Sequence, residues 1–283
     1  MSITTILLSV AILGGVGLTF AAAIALTHWK FKVWEDPRID AVTDMLPGAN
    51  CGACGEAGCR AFAEGVVLGR IQPATCTVMG ADDVLSMAQF LGVEAGEANK
   101  RVARLLCAGG SNVAVQEADY LGLDTCKAAA AVAGGGKGCR WGCLGLDDCE
   151  VACDFDAIYM NQYGIPVVIP DKCTACGDCV DACPKDLFVL MPIEQKLIVQ
   201  CKSALEGDEI EALCRVACTA CERCVADAAP GLIEIRDGLA VVDYSKNDLA
   251  DVSAIARCPT GAIVWVEGAQ FQASAQPLEK AVA

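Results

Sequence analysis

Asp171-Lys172-Cys173-Thr-Ala-Cys176-Gly-Asp-Cys179-Val-Asp-Ala-Cys183-Pro184 is the stretch on which the reading of this chain turns. Its spacing is C-x2-C-x2-C-x3-C-P, in which three thiolates close on one iron–sulfur cluster and the fourth reaches across to a second. Structural zinc is usually held by two separated C-x2-C pairs, so consecutive two-residue gaps argue for a cluster. The partner run lies upstream: Cys139-Arg-Trp-Gly-Cys143-Leu-Gly-Leu146-Asp-Asp-Cys149-Glu-Val-Ala-Cys153. Its central ligand position is Leu146. The crossing rule gives one full set, Cys153, Cys173, Cys176 and Cys179, and an incomplete one, Cys143, Cys149 and Cys183. Cys139 is the nearest spare thiol and is the expected fourth member.

Further out, the chain repeats. Shifting Cys126, Cys139, Cys143, Cys149 and Cys183 by 75 residues lands on Cys201, Cys214, Cys218, Cys224 and Cys258. Neighbours match too, as in Cys183-Pro184 beside Cys258-Pro259. Such self-similarity marks a duplicated unit. In the second copy Leu146 is matched by Cys221, while Cys153, Cys173, Cys176 and Cys179 are matched by Ala228, Asp248, Asp251 and Ala254. One cluster has been deleted and Cys218, Cys221, Cys224 and Cys258 form a complete set. β-rich runs flank each copy, at 157–160 and 165–169 and again at 232–235 and 239–242, each pair separated by a turn signal. These predict hairpins. The fold class expected is α+β, with two tandem bacterial-ferredoxin-like units.

Before these units stands Cys51-Gly-Ala-Cys54-Gly-Glu-Ala-Gly-Cys59, then a helical pattern over 60–68 and Cys76. Glycines between the thiols let the backbone wrap a compact core, and the fourth ligand returns after one helix. This reads as a small [4Fe–4S] module. The count is four clusters when Cys139 is taken as a ligand. Cys107, Cys126, Cys201 and Cys214 are left over; they could make a fifth metal site but read more simply as small buried thiols. Gly134-Gly-Gly-Lys-Gly138 lacks the phosphate-loop spacing and reads as a connection.

Composition narrows the chemistry. The chain has 283 residues, 20 cysteines and one histidine, His28. A Ser-His-Asp triad or a His-based metal site in the soluble part is excluded, because no imidazole is available there. A net charge of −15 argues against nucleic acid as a partner, since phosphate binding needs clustered Lys and Arg. Residues 3–26 run without a charge, long enough to span a bilayer as one helix. Lys30 and Lys32 follow, with Trp29 and Trp34 at interface depth, so the positive-inside rule puts the rest on the cytoplasmic side of the inner membrane. A reducing cytoplasm favours metal ligation over disulfides. The expected organisation is an anchor at 1–28, a linker at 29–47, the four-cysteine module at 48–95, a helical connector at 96–138, a two-cluster unit at 139–200, a one-cluster unit at 201–270 and a tail at 271–283.

The order of parts, from membrane span through the Cys51–Cys76 module to repeats containing Gly142-Cys143-Leu-Gly-Leu146 and Cys173–Pro184, resembles the B subunit of the Rnf complex, the ion-translocating ferredoxin:NAD oxidoreductase of bacterial and archaeal membranes. It resembles the longer form, with a second ferredoxin-like unit appended. The resemblance implies an electron relay between soluble ferredoxin and the membrane subunits, with flavin and NAD bound by a different subunit. An acidic ferredoxin would meet like charge here, so a local basic patch is expected, with Lys172, Lys185 and Arg223 as candidates. The rival readings are an electron-entry subunit of a hydrogenase-type membrane oxidoreductase and a zinc-binding scaffold.

Overall fold

The computed structural model describes residues 3–31, 35–97 and 100–271. Lys32, Trp34 and the tail beyond 271 lie outside them. Helix α1 (Ile3–Lys30) is apolar on every side, and its window Val10–Lys30 has a mean hydropathy of 2.1 with none of it buried against the protein. An all-round apolar helix without a protein partner is built for lipid. It is the one helix among the described residues long and apolar enough to cross a membrane.

The next module packs three helices. Helix α2 (Pro37–Met45) starts where Asp36 accepts from the Arg38 N–H and Pro37 fits the first turn. Helices α3 (Cys59–Val67) and α4 (Ala81–Leu91) follow, and Gly92 ends α4 in the left-handed conformation. Ile39, Val42, Leu46, Phe62, Ala63, Val66 and Met87 form its core, with Cys54, Cys59 and Cys76 packed at the edge.

The remaining chain is two units of one design. The first holds β1 (Arg101–Leu105), α5 (Cys126–Ala131), α6 (Asp148–Val151), β2 (Ile158–Met160), β3 (Pro166–Val168), α7 (Asp178–Ala182) and β4 (Phe188–Pro192). The second holds β5 (Leu197–Val199), α8 (Gly207–Leu213), α9 (Arg223–Asp227), β6 (Ile233–Arg236), β7 (Leu239–Val242) and β8 (Ile263–Trp265). Both expected hairpins form, β2 with β3 and β6 with β7, antiparallel. The first turns at Asn161, whose Oδ1 accepts from the Tyr163 and Ile165 N–H groups. The second turns at Asp237 and Gly238, both left-handed, the geometry that suits a two-residue hairpin.

Each unit is closed by an antiparallel pairing that joins its first strand to its last, β1 to β4 and β5 to β8. These long-range pairs carry no hairpin signal, and they correct two expectations. The connector at 96–138 is not mainly helical: among its described residues it opens with β1, and its helical part is the six-residue α5 and a short 3-10 turn at Ala133–Gly136. The units begin at β1 and β5, upstream of the 139 and 201 boundaries drawn from the cysteines. Gln270 fastens the segment after β8 to the first unit, its Oε1 accepting from the Leu105 N–H and its Nε2 donating to the Leu105 carbonyl. Residues 112–115 run beside α8's end: the Val115 N–H donates to the Leu213 carbonyl and the Arg215 N–H to the Val113 carbonyl. The two units are thereby zipped together by backbone.

Candidate metal centres

The 20 cysteines, all free thiols, line five hollows with four in each. The first holds Cys51, Cys54, Cys59 and Cys76. The second holds Cys153, Cys173, Cys176 and Cys179, and the fifth Cys218, Cys221, Cys224 and Cys258. These three sets are those the sequence groups together. The third hollow gathers Cys143, Cys149 and Cys183 with Cys126, and the fourth gathers Cys107, Cys139, Cys201 and Cys214.

Cys139 is therefore not beside the Leu146 position. It packs in the core of the second unit with Cys201 and Cys214. Cys126 takes the vacant place: the backbone N–H groups of Leu146 and Asp148 donate to its sulfur, and its own N–H donates to Asp148 Oδ1, 3.0 Å away. The thiol that Leu146 lacks is thus supplied by α5, whose start is fixed by Thr125 accepting from the Ala128 N–H. Nothing in linear spacing favours Cys126 over Cys139, which is nearer along the chain.

The fourth hollow has its own symmetry. Cys107 and Cys201 each stand two residues past the first strand of their unit, and Cys139 and Cys214 are repeat mates. Each unit contributes an equivalent pair. The available sequence signals were that 20 cysteines divide into five sets of four, and that Cys107 and Cys201 both follow short apolar-rich runs, Arg101-Val-Ala-Arg-Leu-Leu106 and Leu197-Ile-Val-Gln200.

The hollows fit the same kind of group. Their volumes agree, from about 310 Å³ at the second and fifth to about 340 Å³ at the fourth. The backbone N–H two residues on donates to the sulfur of Cys176 in the second hollow, and the same bond recurs at Cys76, Cys139, Cys143, Cys201 and Cys214. Such bonds steady a thiolate that carries metal. Ala175 and Ala220 hold left-handed backbone within the two Cys-Thr-Ala-Cys loops, strain of the sort that sites retain. Gly109 borders the fourth hollow; a Cβ there would stand 3.3 Å from Cys214 Sγ and 3.6 Å from Cys107 Sγ, filling the space between them.

Burial, reinforced by neighbouring thiols, pushes Cys143 and Cys179 up to about 12 and Cys201 and Cys224 up to about 11. Burial pushes Cys149 up as well. Four thiols so placed cannot ionise together unless a cationic core sits among them, because each thiolate raises the cost of the next. Among the described residues no three His, Cys, Asp or Glu side chains are gathered as a single ion would need. The thiols are set apart round a larger space.

The hollows also touch in sequence. Thr77, next to Cys76, donates to the Thr174 carbonyl, next to Cys173, at 2.7 Å. Helix α7 carries Cys179 of the second hollow and ends at Cys183 of the third, while α6 carries Cys149 of the third and leads to Cys153 of the second. The Cys143 N–H donates to Cys107 Sγ at 3.4 Å, joining third to fourth. The Cys218 N–H donates to the sulfur of Cys201, joining fourth to fifth. Of the cations expected in a basic patch, Lys185 borders the third hollow, its Nζ donating to the Arg140 carbonyl.

Comparison with known proteins agrees with this reading of the cysteines. Residues 46–78 match the family model for an Fe–S cluster, and residues 138–187 match the 4Fe-4S dicluster domain. The chain is 41% identical over 244 residues to the B subunit of the Na(+)-translocating ferredoxin:NAD(+) oxidoreductase complex of Acetobacterium woodii, covering 86% of this chain and 73% of that one. It is 35% identical to the B subunit of the ion-translocating oxidoreductase complex of Methanosarcina acetivorans, covering 90% of this chain and 96% of that one. It is 35% identical, too, to the B subunit of the proton-translocating ferredoxin:NAD(+) oxidoreductase complex of Clostridium ljungdahlii, covering 95% of each. With identity at this level across nearly the whole length, on top of the cysteine pattern, the chain belongs to the family of B subunits of ion-translocating oxidoreductase complexes.

Proposed function

We propose that the chain is a five-site electron wire of an ion-translocating ferredoxin:NAD oxidoreductase, fixed to the inner membrane by α1 with its cysteine-bearing part on the cytoplasmic side. The observation that carries this reading is the end-to-end contact of five four-thiol hollows. Bound there, [4Fe–4S] clusters would supply one-electron transfer, at potentials within about −700 to +450 mV. The protein's share is to hold four thiolates per site at fixed distance, to aim N–H groups at their sulfurs and to keep the sites in line. The surplus of acid, net −15, favours the oxidised form and a low potential, which suits exchange with a low-potential carrier.

The proposed order of sites runs from the module after α1, through the two sites of the first unit, to the shared fourth site and the second unit. Soluble ferredoxin is the proposed exchange partner, in keeping with the names of the relatives, and membrane subunits and a flavin- and NAD-binding subunit are the proposed neighbours. Co-purifying subunits distinguish this from a hydrogenase-type complex.

Iron and acid-labile sulfide of the purified protein test the reading, with electron paramagnetic resonance after reduction. About twenty iron atoms per chain are expected from five clusters of four. Stoichiometric zinc in a colourless protein would overturn it in favour of the scaffold. Asp248→Ala, at a position where the repeat has lost its cysteine, should leave the iron content unchanged.

Deleting residues 1–28 should release a brown soluble protein, since α1 is the long apolar helix and nothing in the protein covers it. The measurement is the partition between membrane and soluble fractions. Full-length protein recovered without detergent would count against the anchor.

A further inference from the structure

The third and fourth hollows meet at the backbone of a single residue, Cys143. On one side the Cys143 N–H points at Cys107 Sγ, 3.4 Å away. On the other the Cys143 carbonyl accepts from Lys137 Nζ at 2.5 Å, and the same Nζ donates to the Gly109 carbonyl, also at 2.5 Å. Lys137 lines the fourth hollow, while Cys143 belongs to the third. The side chain reaches this place because residue 142 is glycine; a Cβ there would lie 3.0 Å from Lys137 Cε.

Among the described residues no ion pair involves Lys137. Its hydrogen bonds go to neutral carbonyls, so its charge is left for other groups. The ones in reach are thiols of both hollows: Lys137 lines the fourth hollow beside Cys107, Cys139, Cys201 and Cys214, and its Nζ holds the carbonyl of Cys143, which belongs to the third. In a chain with 36 acidic residues against 21 basic ones, a part-buried lysine between two cysteine cages without a carboxylate is out of keeping with mere solvation.

We propose that Lys137 is a shared tuning residue, whose one positive charge raises the reduction potentials of the clusters in the third and fourth hollows together. The inference rests on the five-cluster reading given above. When such a cluster accepts one electron from an external one-electron donor, its core falls by one positive charge and the site becomes more negative by one. A fixed cation nearby stabilises that reduced form. A unit charge about 10 Å away in a medium of effective dielectric about 20 changes such an equilibrium by roughly tenfold. Placed between the two units, Lys137 keeps the junction from being the uphill step of the wire.

The test uses the full-length protein in detergent, titrated with titanium(III) citrate and followed by electron paramagnetic resonance. Signals of the third and fourth sites are identified as those lost in Cys126→Ala and Cys214→Ala. Lys137→Gln removes the charge while keeping an N–H donor for the two carbonyls. With iron content unchanged, it should lower the midpoint potentials of both sites by about tenfold in the ratio of reduced to oxidised form, 59 mV for a one-electron couple. Lys137→Arg should leave both near the wild-type values. Full iron with both midpoints unmoved in Lys137→Gln would overturn the proposal, as would a shift at one site alone. So would loss of iron from Lys137→Gln, which would make the residue a clamp. If Cys214→Ala leaves iron and spectra unchanged, it is the occupied fourth site that fails, a result independent of the Lys137 variants.

Discussion

Cys214→Ala should cost between about one and about four iron atoms per chain, for conversion or complete loss of one cluster, and one set of electron paramagnetic resonance signals, while the signals of the Cys218, Cys221, Cys224 and Cys258 set persist. Cys214 sits outside the run that serves the fifth hollow; its thiol lines the fourth, with Cys107, Cys139 and Cys201. Removing one of four thiolates leaves an iron facing an apolar methyl, and a [3Fe–4S] form or complete loss follows. Cys139→Ala should abolish the same signals, since both thiols bound one space, and the double variant should lose no more than either single one. That non-additivity is the signature of a shared site. Gly109→Val offers an approach that leaves every cysteine in place: its side chain would occupy the gap between Cys214 and Cys107, and the same signals should weaken. Distinct signals lost in Cys139→Ala and Cys214→Ala would mean that the two thiols serve different sites.

The second large effect is expected at Cys126. Cys126→Ala should remove or convert the cluster of the third hollow, since Cys143, Cys149 and Cys183 are its remaining thiols. Adding Leu146→Cys should restore it. The second unit has Cys221 at the equivalent position, and there the run Cys218, Cys221, Cys224 lines its hollow without help from an inserted helix. The backbone beside Leu146 is already shaped for a ligand: Gly145 is left-handed at φ +74, as Ala220 is before Cys221. A thiol at 146 would enter the space the Cys126 thiol leaves. Iron content and the resonance spectrum decide. A double variant as iron-poor as Cys126→Ala would show that the loop cannot turn a residue at 146 inward, and Leu146 would then be a packing residue in its own right.

The C-x2-C-x2-C-x3-C-P run, the displacement by 75 residues, the deleted set at Asp248, Asp251 and Ala254 and the uncharged N-terminal stretch are local facts. Local facts fix what they touch. Two-residue gaps between thiols bring them onto one core, a two-residue turn favours a hairpin, and an all-apolar helix that no part of the protein covers suits lipid. Three of the five sets, both hairpins and the anchor helix follow from that much.

The partners of Cys126 and Cys139 were not decided locally. Proximity along the chain favours Cys139 for the Leu146 site, but a thiol joins whichever core the folded backbone brings near, and that depends on pairings between distant segments. Strand β1 finds β4, β5 finds β8, and residues 112–115 pair with the end of α8. Those contacts carry Cys107 and Cys139 to the second unit's Cys201 and Cys214, and leave α5 to deliver Cys126 to the first. None has a sequence signal of its own, because the closing strands are three to five residues long and their partners lie far away along the chain. The sequence by itself determined the chemistry and most of the sites. The tertiary structure alone decided that the two units share a fourth hollow, and that each hollow adjoins the next.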